Sequence, residues 1–205
     1  MTPDDLVAEL QIRGAETRHV TAIAGAPGSG KSTLADTLAE KLNAVEPGSA
    51  AVFPMDGFHY DDTILNARGW RPRKGAPHTF DVTGFSYMLA RLRDNSDPEI
   101  AVPVFDRSIE IARNAARFIP QSVRHLLVEG NYLLFDAPGW RDLGPMFDTT
   151  VFLDVPFEEL QRRLADRWTD LQGEALRVKM EENDLPNAEL VVSNSRKAEF
   201  TIQNG

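Results

Sequence analysis

The sequence predicts an α/β fold in which a mostly parallel sheet is flanked by helices. Three observations carry this. Residues 19–25, HVTAIAG, form a compact apolar run ending in glycine, and the next segment switches to helical spacing with Leu34, Leu38 and Leu42. Further short apolar runs recur at 51–56, 100–105, 124–128 and 149–153. Helix-period segments lie between several of them, and strands alternating with helices bury both faces of a parallel sheet.

In chain order, Thr2, Pro3 and two Asp residues mark a helix start, with Leu6, Val7 and Leu10 on one face. The run at 19–25 is the first strand and 31–42 the helix after it. AVFPMD at 51–56 reads as a second buried strand. Residues 57–81 carry many Gly, Pro, Arg and Asp but few periodic apolar positions, which predicts a long loop; such loops are often functional when ordered. Phe85, Met88, Leu89 and Leu92 mark the next helix. The runs at 100–105, 124–128 and 149–153 are strands, followed by helices at about 157–171 and 174–182. AELVV and EFTI are expected to close the chain as short strands. No internal repeat interrupts the pattern, and 205 residues fit one domain, 1–205.

Composition narrows the function classes. The net charge of −9 disfavours general nucleic-acid binding, which depends on neutralising phosphates with basic side chains. The absence of cysteine excludes disulfides, thiolate nucleophiles and Cys-based metal sites, and suits a reducing cytoplasm. The start MTPDD has no basic, apolar signal character, and no stretch approaches the ~20 apolar residues of a membrane helix. A cytoplasmic protein without membrane or nucleic-acid partners is expected. Oligomeric state is open, a homodimer included. The histidines at 19, 59, 78 and 125 lack close metal-ligand spacing, which argues against a zinc site.

Residues 25–32, GAPGSGKS, match the phosphate-binding pattern G-x-x-x-x-G-K-[ST] in full. Gly25, Gly28 and Gly30 permit the dihedrals and close approach by which the loop's backbone N–H groups line one anion-binding concavity, with Ala26, Pro27 and Ser29 as the intervening residues of the nucleotide-binding loop. Lys31 would reach the β and γ phosphates of ATP and Ser32 would place its hydroxyl on Mg²⁺. The helix opening here, with Thr33 in its first turn, aims its positive dipole end at the phosphates.

Transfer of a phosphoryl group also needs a residue that orients or deprotonates the acceptor, and carboxylates at strand ends are the candidates. Asp56 follows the second apolar run, where Gly57 gives a tight exit. Glu129 ends HLLVEG and could hold Mg²⁺ with Ser32, with Tyr132 close behind. Arg68, Arg71, Arg73 and Lys74 crowd into one loop, either as an anion-recognising cluster or as a solvated face. His59, His78, Asp81, Asp106 and Arg107 are candidate substrate contacts. Arg163 and Arg167, four apart on QRRLADRW, share a helix face and could close over the phosphates as a lid, spanning about 157–182.

Taken together, GAPGSGKS, MDGFHYDD, KGAPHTFD, PVFDRS, VEGNYLL, RRLADRW and NDLPNAELVVSNS resemble the uridine kinase, pantothenate kinase and phosphoribulokinase superfamily of P-loop kinases over about residues 19–195. DGFH, GAPHTFD and EGNYLL look most like its fructose-transport-associated, fructokinase-like branch. The resemblance implies a nucleoside-monophosphate-kinase-like P-loop NTPase fold with a helical lid. It also implies Asp56 as catalytic base, Glu129 as the Mg²⁺-linked acid, Arg163 and Arg167 as lid arginines, and Asn187, Asn194 and Ser195 near adenine. DGFH stands where uridine kinases carry a DSFY-like form, and the chain is shorter than pantothenate kinases and phosphoribulokinases, which leaves a sugar-like acceptor, fructose among them, in front of a nucleoside or pantothenate. A regulatory nucleotide switch is the reading from another class; the chain has no NKxD guanine-reading motif.

Overall fold

The computed structural model describes residues 1–205. Helix α1 (Pro3–Arg13) opens with a reciprocal cap: the Thr2 hydroxyl accepts from the Asp5 backbone N–H at 3.2 Å, and the Asp5 carboxylate accepts from the Thr2 N–H at 2.9 Å. There follow β1 (His19–Gly25), α2 (Lys31–Val45), β2 (Ala50–Pro54), α3 (Asp62–Ala67), α4 (Val82–Asp94), β3 (Glu99–Asp106), β4 (Ile111–Pro120), β5 (His125–Gly130), β6 (Thr149–Asp154), α5 (Phe157–Arg167), α6 (Gly173–Lys179), α7 (Leu185–Asn194) and β7 (Phe200–Gln203). Five strands form one parallel sheet in the order β2-β5-β1-β6-β7.

Helices cover both faces of this sheet. On one side Leu6 and Leu10 of α1 and Leu34, Leu38 and Leu42 of α2 pack with Ile23, Leu127 and Val151. On the other, Phe85, Leu89 and Leu92 repeat at helical spacing along α4 and pack with Phe53, Val128 and Trp140. Each fully buried Leu or Phe contributes roughly 1.5–3 kcal/mol of transfer free energy. No helix is long and apolar enough to cross a membrane.

Four expectations are corrected. AELVV is not a strand: it lies within α7, where Pro186 occupies the first helical turn and Ala188 and Val191 face the core at helical spacing, so tertiary packing overrides the β-preference of the valines. The run at 100–105 is a strand, but it pairs antiparallel with β4 in a separate two-stranded ribbon instead of joining the parallel sheet. β4 itself was hidden, because most of its side chains are solvent-exposed and its sequence has no apolar alternation. The region 57–81 is a chain of short helical turns with α3 among them, and the helix expected to 171 ends at Arg167. Past α6, a π-helical turn at Met180–Asp184 joins α6 to α7.

Candidate active site

The phosphate-binding loop connects the carboxyl end of β1 to α2. Gly28 and Gly30 have φ of 81° and 90°, a region that L side chains rarely adopt. Gly30 also caps α2 without a side-chain hydrogen bond, and the first turn of α2 has no acidic residue. The helix's leading N–H groups are thereby left to an anion.

Strand order brings the carboxylates to this loop. β5 lies between β1 and β2, with Glu129 level with Ile23 on one side and Pro54 on the other. The Ser32 hydroxyl donates to Glu129 Oε2 at 3.2 Å. Asp56 sits in the helical turn Met55–Phe58 just beyond β2, where Gly57 packs so tightly that a Cβ would lie 2.6 Å from the Pro103 carbonyl. Arg107, at the end of the β3–β4 ribbon, donates to Asp56 Oδ2 at 3.0 Å. His59 donates from Nδ1 to the Asp56 carbonyl at 2.8 Å, and its ring lies against Phe80 and Phe105.

The charges perturb one another. Burial resists the charge on Asp56, but His59, Arg107 and Lys31 outweigh it and hold the carboxyl below its ordinary range. Glu129 goes the other way: burial, reinforced by the Asp56 charge, raises it despite Lys31 and the Ser32 hydrogen bond. Burial lowers Lys31, with Glu129 and Asp56 opposing. Burial also lowers Arg167, and Arg107 adds to that; the Arg167 guanidinium has no carboxylate partner.

Two cavities meet at this point. The first, about 320 Å³, has no hydrophobic lining residue and is walled by Gly28, Gly30, Lys31, Ser32, Thr33, Arg163 and Arg167. The second, about 450 Å³, is lined by His59, Lys74, Phe105, Trp168 and Asn187 among others. Pro27, Asp56, Arg107, Asn131 and Arg167 line both. A polyanion in the first cavity and a hydroxylated molecule in the second would therefore face each other across Asp56. No group of three or more acidic or imidazole side chains could cage a cation alone. The Ser32 hydroxyl and Glu129 carboxylate are hard oxygen donors, and they fit a Mg²⁺ ion that completes its shell with phosphate and water.

Of the residues expected from sequence, Lys31, Ser32, Asp56, His59, Arg107, Glu129, Arg163 and Arg167 are brought to this junction. Several others are not. Arg68 stacks over Trp70 and Tyr60 and lines neither cavity. His78 is exposed, edge-on to Trp70. Asp81 caps α4 by accepting from the Gly84 N–H at 2.9 Å, and Asp106 is engaged by Ser108 and Arg113. Tyr132 is fully buried and donates its hydroxyl to the Gly75 carbonyl at 2.7 Å, so it supports the wall of the larger cavity from behind. Asn194 ends α7, its amide bonded to the Leu190 carbonyl and its own carbonyl accepting from Asp136 N–H; it lines neither cavity. Asn187 belongs to the wall of the larger cavity, where its side-chain carbonyl accepts from Arg73 at 3.2 Å. Lys74 in that wall, buried and donating to Asp62 at 2.6 Å, was visible only as part of the basic run. Asn204, which donates to the Ser29 carbonyl at 2.7 Å, had no signal in the sequence.

Comparison with known proteins bears on the family and the fold. A family model described as an AAA domain matches residues 22–184. The Escherichia coli (strain K12) protein named "Uncharacterized protein YggC" is 34% identical over 204 residues, covering 97% of this chain and 83% of that one. "Putative uridine kinase C227.14" of Schizosaccharomyces pombe is 32% identical over 199 residues, covering 92% and 84%. A crystal structure described as a putative fructose transport system kinase from Silicibacter sp. TM1040 superimposes with a TM-score of 0.90 at 41% identity, covering 98% of this chain and 99% of that one. The chain belongs to the P-loop kinases of the uridine kinase, pantothenate kinase and phosphoribulokinase type.

Proposed function

From this family membership, we propose that the protein transfers the γ-phosphoryl group of ATP to a hydroxyl of a sugar or similar small metabolite, with Asp56 as the general base. The observation that carries it is the position of Asp56 on the wall shared by the phosphate cavity and the larger cavity. The acceptor hydroxyl gives its proton to Asp56 as its oxygen attacks the γ-phosphorus, and ADP leaves with the electrons of the broken bond. Lys31 and the loop N–H groups hold the β and γ phosphates. Arg167, unpaired and facing both cavities, and Arg163 beside it stabilise the charge on the transferring group. Ser32 and Glu129 are the residues that would hold Mg²⁺, which when bound neutralises phosphate charge.

The sugar-like acceptor is supported by the 41% identity to a chain described as a putative fructose transport system kinase and by cavity walls that pair polar groups (Asn131, Lys74, Asn187) with the rings of Phe105 and Trp168. A nucleoside acceptor is the second reading, supported by the 32% identical relative named putative uridine kinase. An ADP-release screen over fructose, other ketoses, uridine, pantothenate and pentose phosphates separates them. Release that depends on a ketose supports the sugar reading, release that depends on uridine replaces it, and ADP release independent of every acceptor refutes the kinase assignment.

A further inference from the structure

Asn204 lies just beyond β7, far in sequence from every motif, yet it touches three parts of the site. Its backbone N–H donates to the Asp154 carbonyl at the end of β6 at 3.0 Å. Its side-chain amide donates to the Ser29 carbonyl inside the phosphate loop at 2.7 Å. Its own carbonyl accepts from Arg163 Nη2 at 2.8 Å, while Arg163 Nε is held by Glu159 at 2.7 Å. One residue therefore ties the sheet, the loop and the arginine-bearing helix α5 together. We infer that Asn204 is a positioning residue for the nucleotide, one that keeps the phosphate loop in its anion-accepting conformation and Arg163 beside it. This rests on the reading that the loop holds ATP.

The physical reason lies in which way the loop's peptide groups point. An anion cradle needs N–H groups directed inward, so carbonyl oxygens must be directed outward, and a buried carbonyl needs a donor there. Ser29 is fully buried, and its own hydroxyl has no hydrogen-bond partner. The Asn204 amide supplies the donor. It lies so close to Gly30 that a Cβ on that glycine would stand 2.7 Å from Nδ2 and would push the amide aside, while the φ of 90° there favours glycine in any case. Without the amide, the Ser29 peptide loses the contact that keeps its carbonyl away from bound phosphate. Arg163, which lines the phosphate cavity, keeps its main-chain carbonyl partner, but that carbonyl is then anchored only through the Asn204 N–H bond to Asp154 and no longer to the loop.

A residue that only fastened the edge of the sheet would behave differently. Its loss would lower thermal stability and weaken both substrates alike. The test is calorimetric ATP binding without acceptor, together with steady-state kinetics, on the wild type, Asn204→Ala, Asn204→Asp, Arg163→Ala and the Asn204→Ala/Arg163→Ala pair. Loss of one hydrogen bond predicts that Asn204→Ala raises the ATP Kd and KM about three- to tenfold while the acceptor KM stays unchanged. Asn204→Asp, which sets a carboxylate against the Ser29 carbonyl, should bind ATP more weakly than Asn204→Ala. In the double variant the combined loss should be smaller than the product of the single losses, because both residues act on one unit. Unchanged ATP affinity in Asn204→Ala, or equal losses for ATP and acceptor, overturns the inference. Absence of ATP binding by the wild type overturns the nucleotide reading, and this inference with it.

Discussion

Replacing Asp56 by Asn keeps the size of the side chain and removes both its charge and its capacity to take a proton. The structure allows the consequences for chemistry and for binding to be separated. Asp56 lies on the wall between the cavities and touches no residue of the phosphate loop by hydrogen bond; its ion pair is with Arg107, whose side chain is 52% exposed. Asn fills the same space, and the Arg107 guanidinium left behind stays open to solvent, so folding and nucleotide affinity should change far less than the chemical step. The chemical step, by contrast, loses a positioned base, which typically contributes about 10²–10⁴ in rate, or about 3–5 kcal/mol of barrier. The expected outcome is a kcat at least a hundredfold lower in a coupled ADP-release assay, with an ATP Kd by calorimetry within about threefold of wild type. The pH profile adds a check. Because Asp56 is held below the usual carboxylate range, it is ionised at neutral pH, and its own protonation should lower the wild-type kcat/KM only in acid below that range. A variant that keeps kcat within tenfold of wild type would refute the assignment of Asp56 as base.

Lys31→Ala should remove most ATP affinity, since it deletes the only side-chain cation within the loop itself; calorimetry showing an unchanged Kd would contradict the proposed cradle. Arg167→Ala should lower kcat at least tenfold with little change in ATP Kd, because its guanidinium is unpaired at the junction of the cavities; equal losses in both would mark it as a binding residue. Glu129→Gln should raise the Mg²⁺ concentration needed for half-maximal activity. In the nucleotide-free protein it should also raise the melting temperature near neutral pH. The sign follows from linkage: a carboxyl whose folded-state pKa is raised above its unfolded value binds its proton more tightly when folded, so stability falls as pH rises between the two values and the uncharged Gln recovers it. The gain should be about 2–4 °C per kcal/mol recovered and should vanish in acid; a lower melting temperature at neutral pH would count against it.

The sheet was legible because its strands are short apolar runs ending in Gly or an acid, and because helix-spaced leucines follow the first. The loop at 25–32 was legible because its chemistry is contiguous: eight neighbouring residues build the whole cradle. Asp56 and Glu129 could be located by one rule, that strand ends at the carboxyl edge face the ligand. What escaped depends on tertiary partners. The valines of AELVV carry a strand preference that only the helical packing of Ala188 and Val191 overrides. Most of β4 is exposed, so no hydrophobic period announces it. Asp81 and Tyr132 are polar residues near the site whose polar atoms are spent on a helix cap and on the Gly75 carbonyl, a distinction that needs coordinates. Asn204 is the extreme case, since it acts through partners far away in the chain at Ser29 and Arg163.

The central place of β1 in the sheet has a kinetic corollary. Its neighbours β5 and β6 begin at His125 and Thr149, so the strand that presents the phosphate loop is held only by pairings that close chain segments of a hundred residues or more. Contacts of such long range form late and slowly, because loop closure costs entropy before the pairing rewards it. Nucleotide is recognised by a loop that exists only once these pairings have formed. It would stabilise the native state alone, by mass action, so that saturating ATP at a hundred times its Kd adds about 2.7 kcal/mol to global unfolding.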